Sequence, residues 1–302
     1  MIGYFKKSVA AVALIASVAH SKDSTGDDKR SFQEMCVEYG FQFEEHTVVT
    51  EDNYILTVWR IPGLADEVNT ATNAIKPAVL FQHGILDSAN CWIMNWDDVS
   101  PAFVAARAGY DVWLGNSRGN TYSLGHTEYD HNKNEKKYWA FDWEQMGKYD
   151  IPAVIEHIVD NTSNDTISYI GHSQGTTQLY YGLSELQEYY DSRLNIFVAL
   201  GPVTKITNEE SNIIGLAAHF YDELDFFANL FGIHALLQRN FITNGVCKLF
   251  CSTLPWLCEL IEFFFVSHDI HADDKDRFGV YMSHEPNGAS LQSILLYAQN
   301  MK

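Results

Sequence analysis

Basic residues are scarce in this 302-residue chain: 20 Lys and Arg stand against 39 Asp and Glu, for a formal net charge of −19 at pH 7. Such a surface repels a phosphate backbone, which argues against nucleic-acid binding. Cysteine is sparse as well, and five in this length are too few for a scaffold built on disulfides. A metal site needs several well-placed ligands, and neither a CxxC pair nor an HExxH sequence is present, so no metal and no cofactor are assigned. No uncharged apolar run reaches the roughly 18 residues of a membrane-spanning helix, so no transmembrane span is expected. Repeats and low-complexity segments are absent too. What the chain does have is apolar bulk, 46% hydrophobic and 14% aromatic with 20% charged. That is the composition of a chain that folds around a core.

The first residues set the compartment. Lys6 and Lys7 precede roughly a dozen apolar or small residues, and a small-residue site follows near Ala19 or Ser21. This layout reads as a secretory signal peptide over 1–21, and a secreted or lysosomal location follows. Two sequons, Asn161-Thr162-Ser163 and Asn164-Asp165-Thr166, lie in a polar stretch between a helical pattern and a strand pattern, where a glycan would face solvent. An oxidising compartment permits cystine. Cys247, Cys251 and Cys258 cluster, while Cys36 and Cys91 stand apart. One bridge within the cluster is compatible with the spacing, which leaves the pairing open.

Short β-branched and aromatic runs recur at 46–50, 54–61, 78–83, 111–115, 166–171 and 195–200, the later ones nearly continuous in apolar residues, as in strands buried on both faces. Helical patterns fall between them at 101–108, at 143–160 with Pro152 as a kink or break, and at 174–190 with Leu179, Leu183 and Leu186 on one side. The alternation predicts a mostly parallel α/β sheet that begins with an antiparallel hairpin around Glu51-Asp52-Asn53. After Gly201-Pro202 about 85 residues pass without return to the sheet, against about 2 to 6 for an ordinary connection. We read 32–202 as the core and 203–288 as an inserted helical cap. Its bulky residues, among them Phe226, Phe227, Leu230 and Phe231, form either a small core of its own or a surface that meets apolar substrate. At 289–302 the chain starts back to the core, with Ser290 capping a helix.

The sharpest chemical feature is Gly171-His172-Ser173-Gln174-Gly175, a G-x-S-x-G sequence between an apolar strand and an amphipathic helix. A nucleophilic serine there sits on a strained turn with its hydroxyl above the sheet, and the flanking glycines remove β-carbons that would clash. The free N–H groups and positive dipole end of the following helix lie where negative charge grows in acyl transfer. The Gln174 backbone N–H is therefore one candidate oxyanion donor. The turn after Phe81-Gln82-His83-Gly84 offers the second, the N–H of Leu86.

Several longer motifs then resemble the acid lipase family: His83-Gly84-Ile85-Leu86, the run from Asp111 to Asn120, Lys148-Tyr149-Asp150-Ile151-Pro152-Ala153, the stretch from Gly171 to Thr177, Ala199-Leu200-Gly201-Pro202, and the run from Tyr281 to Gly288. The resemblance runs from about Phe32 to the last residue. It implies an α/β-hydrolase with a helical lid that acts on triacylglycerols or sterol esters at a lipid–water interface in lipid catabolism. Ser173 maps to the nucleophile, and Leu86 and Gln174 to the oxyanion hole. A lid disulfide is usual in that family, and Val266 stands where that pattern has the partner of Cys258.

In this fold the triad order is Ser, then Asp or Glu, then His. Neither later member is identifiable. By the resemblance, roughly 80 to 100 residues should follow Lys302 and carry both. His219, His234, His268, His271 and His284 all fall in the segment read as cap. The chain is thus expected to be inactive or partial by itself, with an uncovered sheet edge. Two alternatives stand beside hydrolysis: a non-catalytic acyl-lipid binder that keeps the pocket, and an enzyme that passes the acyl group to an alcohol.

Overall fold

The computed structural model describes residues 25–69, 75–206, 219–238, 274 and 276–301. The region read as signal peptide and the cluster Cys247, Cys251 and Cys258 lie outside these residues, as does most of the proposed cap.

The first helix, α1 (Phe32–Glu38), starts at a reciprocal cap: Ser31 Oγ accepts from Glu34 N–H and the Glu34 carboxylate accepts from Ser31 N–H. The strands follow as β1 (Glu44–Val49), β2 (Tyr54–Ile61), β3 (Ala78–Gln82), β4 (Asp111–Gly115), the two-residue β5 (Gly125–His126), β6 (Ile167–His172) and β7 (Leu194–Leu200). They form one sheet in the order β1-β2-β4-β3-β6-β7, with β5 paired to β2. The β1–β2 and β2–β4 pairs are antiparallel. The β3–β4, β3–β6 and β6–β7 pairs are parallel. This is the mixed, mostly parallel α/β sheet that the sequence pattern predicts, with its opening hairpin.

Side chains alternate across the sheet as a two-residue period requires. Leu56, Val58, Leu80, Trp113 and Tyr169 enter one core. Helices α3 (Ile151–Asn161), α4 (Gln174–Glu185) and α5 (Gln187–Arg193) contribute Ile155, Ile158, Leu179 and Tyr190 to it. Trp59, Ile61, Val79, Phe81, Val112 and Leu114 enter the other, which is closed by α1 and by α2 (Pro101–Arg107) with Phe103 and Ala106. Further along lie α6 (Tyr221–Phe231), β8 (Ala235–Leu236), α7 (Phe278–His284), β9 (Ala289–Ser290) and α8 (Leu291–Asn300). Ser290 caps α8 as expected, its Oγ accepting from Gln292 N–H. On α8, Tyr297 stacks on Trp143 and its hydroxyl donates to Thr177 Oγ1 at 3.1 Å.

Three expectations need correction. The helix expected over 174–190 is two helices that part at Leu186. The break lets Tyr190 fold back so that its hydroxyl donates to the Gly147 carbonyl at 2.6 Å. The helix expected over 143–160 opens into a wide π turn at Met146–Asp150, directly ahead of Pro152, whose missing N–H cannot support a regular turn. The run 195–200 is not buried on both faces: Phe197 packs on Tyr169 and Tyr180, but Ile196 is 55% exposed, because among the described residues nothing covers its side of β7.

Candidate active site

Ser173 closes β6 and opens α4 with φ 49° and ψ −117°. A non-glycine residue in that region stores about 1–3 kcal/mol of strain, which the surrounding bonds must overcome. They do so from both ends of the turn. Ser173 N–H donates to the Leu200 carbonyl at 3.0 Å, and the Ser173 carbonyl accepts from Thr176 N–H at 2.9 Å. Thr176 Oγ1 adds a second bond to that carbonyl at 2.6 Å and accepts from Val203 N–H at 2.9 Å. The glycine after the turn is dictated by packing: a β-carbon on Gly175 would lie 2.4 Å from the Gln82 carbonyl oxygen. The sharp turn leaves the Ser173 side chain half-buried. Among the described residues nothing hydrogen-bonds its hydroxyl.

The β3 loop passes in front of this turn. A β-carbon on Gly84 would lie 3.2 Å from Ser173 Cβ. Two residues on, Leu86 has φ 62°, a second left-handed non-glycine position. Its carbonyl accepts from Asn287 N–H at 2.8 Å. The backbone N–H groups of Leu86 and Gln174 make no hydrogen bond among the described residues. The three residues singled out from the sequence thus share one corner of the fold, at the carboxyl ends of β3 and β6.

Behind the corner lies a polar network that sequence reasoning missed. His83 is buried; its Nδ1 bonds the Gly84 carbonyl at 2.7 Å and its Nε2 accepts from Ser117 N–H at 3.0 Å. Asn120 Nδ2 stands 3.2 Å from the same nitrogen. Burial pushes the His83 pKa down, so the ring is neutral and fixed in one tautomer. Ser117 Oγ accepts from Gln82 Nε2 at 2.8 Å and from Gln178 Nε2 at 3.1 Å, tying β3 to α4. The only cue in the sequence is the polar run from Asn116 to Asn120 after a buried strand.

No described histidine is bonded to Ser173. His284 is buried and its Nε2 lies 3.0 Å from the Asp27 carbonyl oxygen, and His46 and His157 pair with each other at 3.1 Å. His219 is exposed, and His268 and His271 lie outside the described residues. Among the described residues no cluster of three or more His, Cys, Asp or Glu could hold a metal, and no helix is long and apolar enough to cross a membrane. Cys36 is buried and Cys91 half-buried, both as free thiols.

The family model for a partial alpha/beta-hydrolase lipase region matches residues 32–96, and that for the alpha/beta hydrolase fold matches 77–232. The chain is 39% identical over 271 residues to the gastric triacylglycerol lipase of Mus musculus, covering 89% of this chain and 67% of that one. It is 37% identical over 274 residues to the gastric triacylglycerol lipase of Homo sapiens, at 90% and 67% coverage. Against the lipase lipl-1 of Caenorhabditis elegans it is 33% identical over 295 residues, at 97% and 72% coverage. A solved structure described as that of a lipase from Sulfolobus solfataricus shares the fold, with a TM-score of 0.51 and 16% identity over 84% of this chain and 79% of that one.

Proposed function

The chain belongs to the α/β-hydrolase lipases, a family of carboxylic ester hydrolases, and from that membership we propose that it is a serine lipase in which Ser173 is the nucleophile. The observation that carries the reading is the strained, half-buried Ser173 turn between β6 and α4. In the reaction, Ser173 Oγ attacks the ester carbonyl carbon and the carbonyl oxygen gains negative charge. The N–H groups of Gln174 and Leu86, unpaired among the described residues, receive that charge, each such donor being worth about 10²–10³ in turnover. The alcohol leaves, an acyl-serine remains, and water releases the fatty acid. The base that takes the Ser173 proton is not found among the described residues.

The relatives named gastric triacylglycerol lipase support triacylglycerols as the substrate class, and the motif resemblance adds sterol esters, met at a lipid–water interface in lipid breakdown. Secretion or lysosomal delivery follows from the region read as signal peptide. Residues 203–288 are assigned to a lid over the site. Glycans are proposed at Asn161 and Asn164. Asn161 is exposed at the end of α3, its Nδ2 donating to the His157 carbonyl at 2.8 Å, and Asn164 Nδ2 donates to the Lys76 carbonyl at 3.0 Å. The second reading, an acyl-lipid binder without chemistry, is favoured by a Ser173 hydroxyl that has no hydrogen bond among the described residues.

A fluorophosphonate probe separates the two. Hydrolase chemistry gives covalent labelling that disappears in Ser173→Ala. Labelling that persists in that variant, or none at all while a fluorescent fatty acid still binds, overturns the nucleophile assignment.

A further inference from the structure

The loop that carries Leu86 is gripped from outside by the segment that leaves α7. Besides the Asn287 N–H to Leu86 carbonyl bond, Asn287 Nδ2 donates to Glu285 Oε2 at 2.6 Å and to Ser88 Oγ at 2.9 Å. Ser88 Oγ in turn donates to Glu285 Oε1 at 3.0 Å. Asn287 is itself anchored, its carbonyl accepting from Thr121 N–H at 3.0 Å. Glu285 therefore sits at the centre of the grip, and its carboxyl is hydrogen-bonded to that of Asp87, the residue after Leu86. Among the described residues neither carboxyl has a Lys or Arg partner. The titratable groups that face the pair are the Cys91 thiol, which burial holds neutral, and His83, which feels Asp87 on one side and His172 on the other. A buried carboxyl in contact with a second one and without a cation ionises at a cost, which favours the protonated form of Glu285.

We propose that Glu285 is a positioning residue: its carboxyl, bonded to Ser88 and Asn287, clamps 285–288 against 86–88 and sets the Leu86 amide towards Ser173, and loss of its proton as pH rises loosens the oxyanion loop. The role of Leu86 rests on the function proposed above; the clamp does not. Burial, then the Asp87 charge, push the Glu285 carboxyl well above the ordinary range. The folded protein thus holds a proton that the unfolded chain gives up above its ordinary value of 4.5. The stabilisation is complete below that value and is lost as pH rises through the raised folded value.

Hydrogen exchange read by mass spectrometry on peptides covering 84–90 and 285–288, corrected for the intrinsic pH dependence of exchange, tests the clamp. The wild-type chain should lose protection in both peptides on going from about pH 5 to about pH 8, whereas Asp87→Asn and Glu285→Gln, each unable to place two negative charges together, should keep it. A carboxylic-acid C=O infrared band present in wild type and absent from Glu285→Gln should accompany this. Protection independent of pH in wild type, or both variants following wild type, overturns the clamp. In the fluorophosphonate assay, Asp87→Asn should label several-fold faster than wild type at the upper pH. Equal labelling despite altered exchange overturns the Leu86 positioning. If no form is labelled at any pH, the nucleophile reading fails while exchange still decides the clamp.

Discussion

Gly175 carries more of the site's geometry than its lack of a side chain suggests. A β-carbon there would meet two backbone oxygens, those of Gln82 at 2.4 Å and His83 at 2.9 Å, and neither can swing away as a side chain could. Gly175→Ala should therefore destabilise the fold by about 3 kcal/mol, the upper end of overpacking costs, read as a lower urea midpoint with unchanged slope. His83 makes a pH prediction of known sign. Burial lowers its folded pKa, while the unfolded chain takes up a proton below about 6.5. The unfolded state binds more protons there, so stability falls as pH drops from about 6.5 towards 5. His83→Gln should flatten that slope in urea titrations at several pH values, and an unchanged slope would count against the neutral, buried ring. The tight strand-to-helix turn at Ser173-Gln174 was legible because an elbow has a spacing that letters preserve. The network of His83, Ser117 and Asn120 was not, since a buried polar residue looks in sequence like an exposed one.

The elements that shape the corner are joined by Arg118, on the loop after β4. Its guanidinium is fully buried, bonds Asp150 Oδ1 through Nε at 2.8 Å and Asp52 Oδ1 through Nη2 at 2.8 Å, and lies 4.0 Å from the centre of the Tyr54 ring. One side chain thus fastens the β1–β2 turn, the loop after β4 and the π turn before α3. Arg118→Ala leaves Asp150 buried without its cation and should cost about 3–5 kcal/mol by urea unfolding. Arg118→Lys should recover only part of the loss, because an ammonium cannot fork between two carboxylates. The strands themselves were readable: 54–61 and 111–115 end where the apolar pattern ends, and the others shift by one or two residues. The departure at Leu186 came from a contact distant in sequence, Tyr190 to Gly147, which local periodicity does not register. The break expected at Pro152 is present but falls ahead of the proline, at Met146–Asp150.

Across the whole molecule two opposing surface properties meet. A formal charge of −19 makes copies of the chain repel one another. Set against this are apolar side chains left in solvent among the described residues: Ile196, at 55% exposure, and Leu200 on β7, which pairs only with β6, and Phe226, Phe227 and Phe231 on α6. A strand with one free side and an apolar flank is a template for another chain. Salt shifts the balance in one direction. It shortens the Debye length from about 10 Å at 0.1 M to about 3 Å at 1 M, which removes repulsion and leaves apolar attraction intact. The apparent mass of the chain by light scattering should therefore rise with salt. Ile196→Lys places a charge on the flank of β7 left open among the described residues and should lower that rise, while Val37→Lys on α1, a more exposed position away from the strand edge, should not. If both substitutions act alike, net charge alone governs association and the free side of β7 is not the contact.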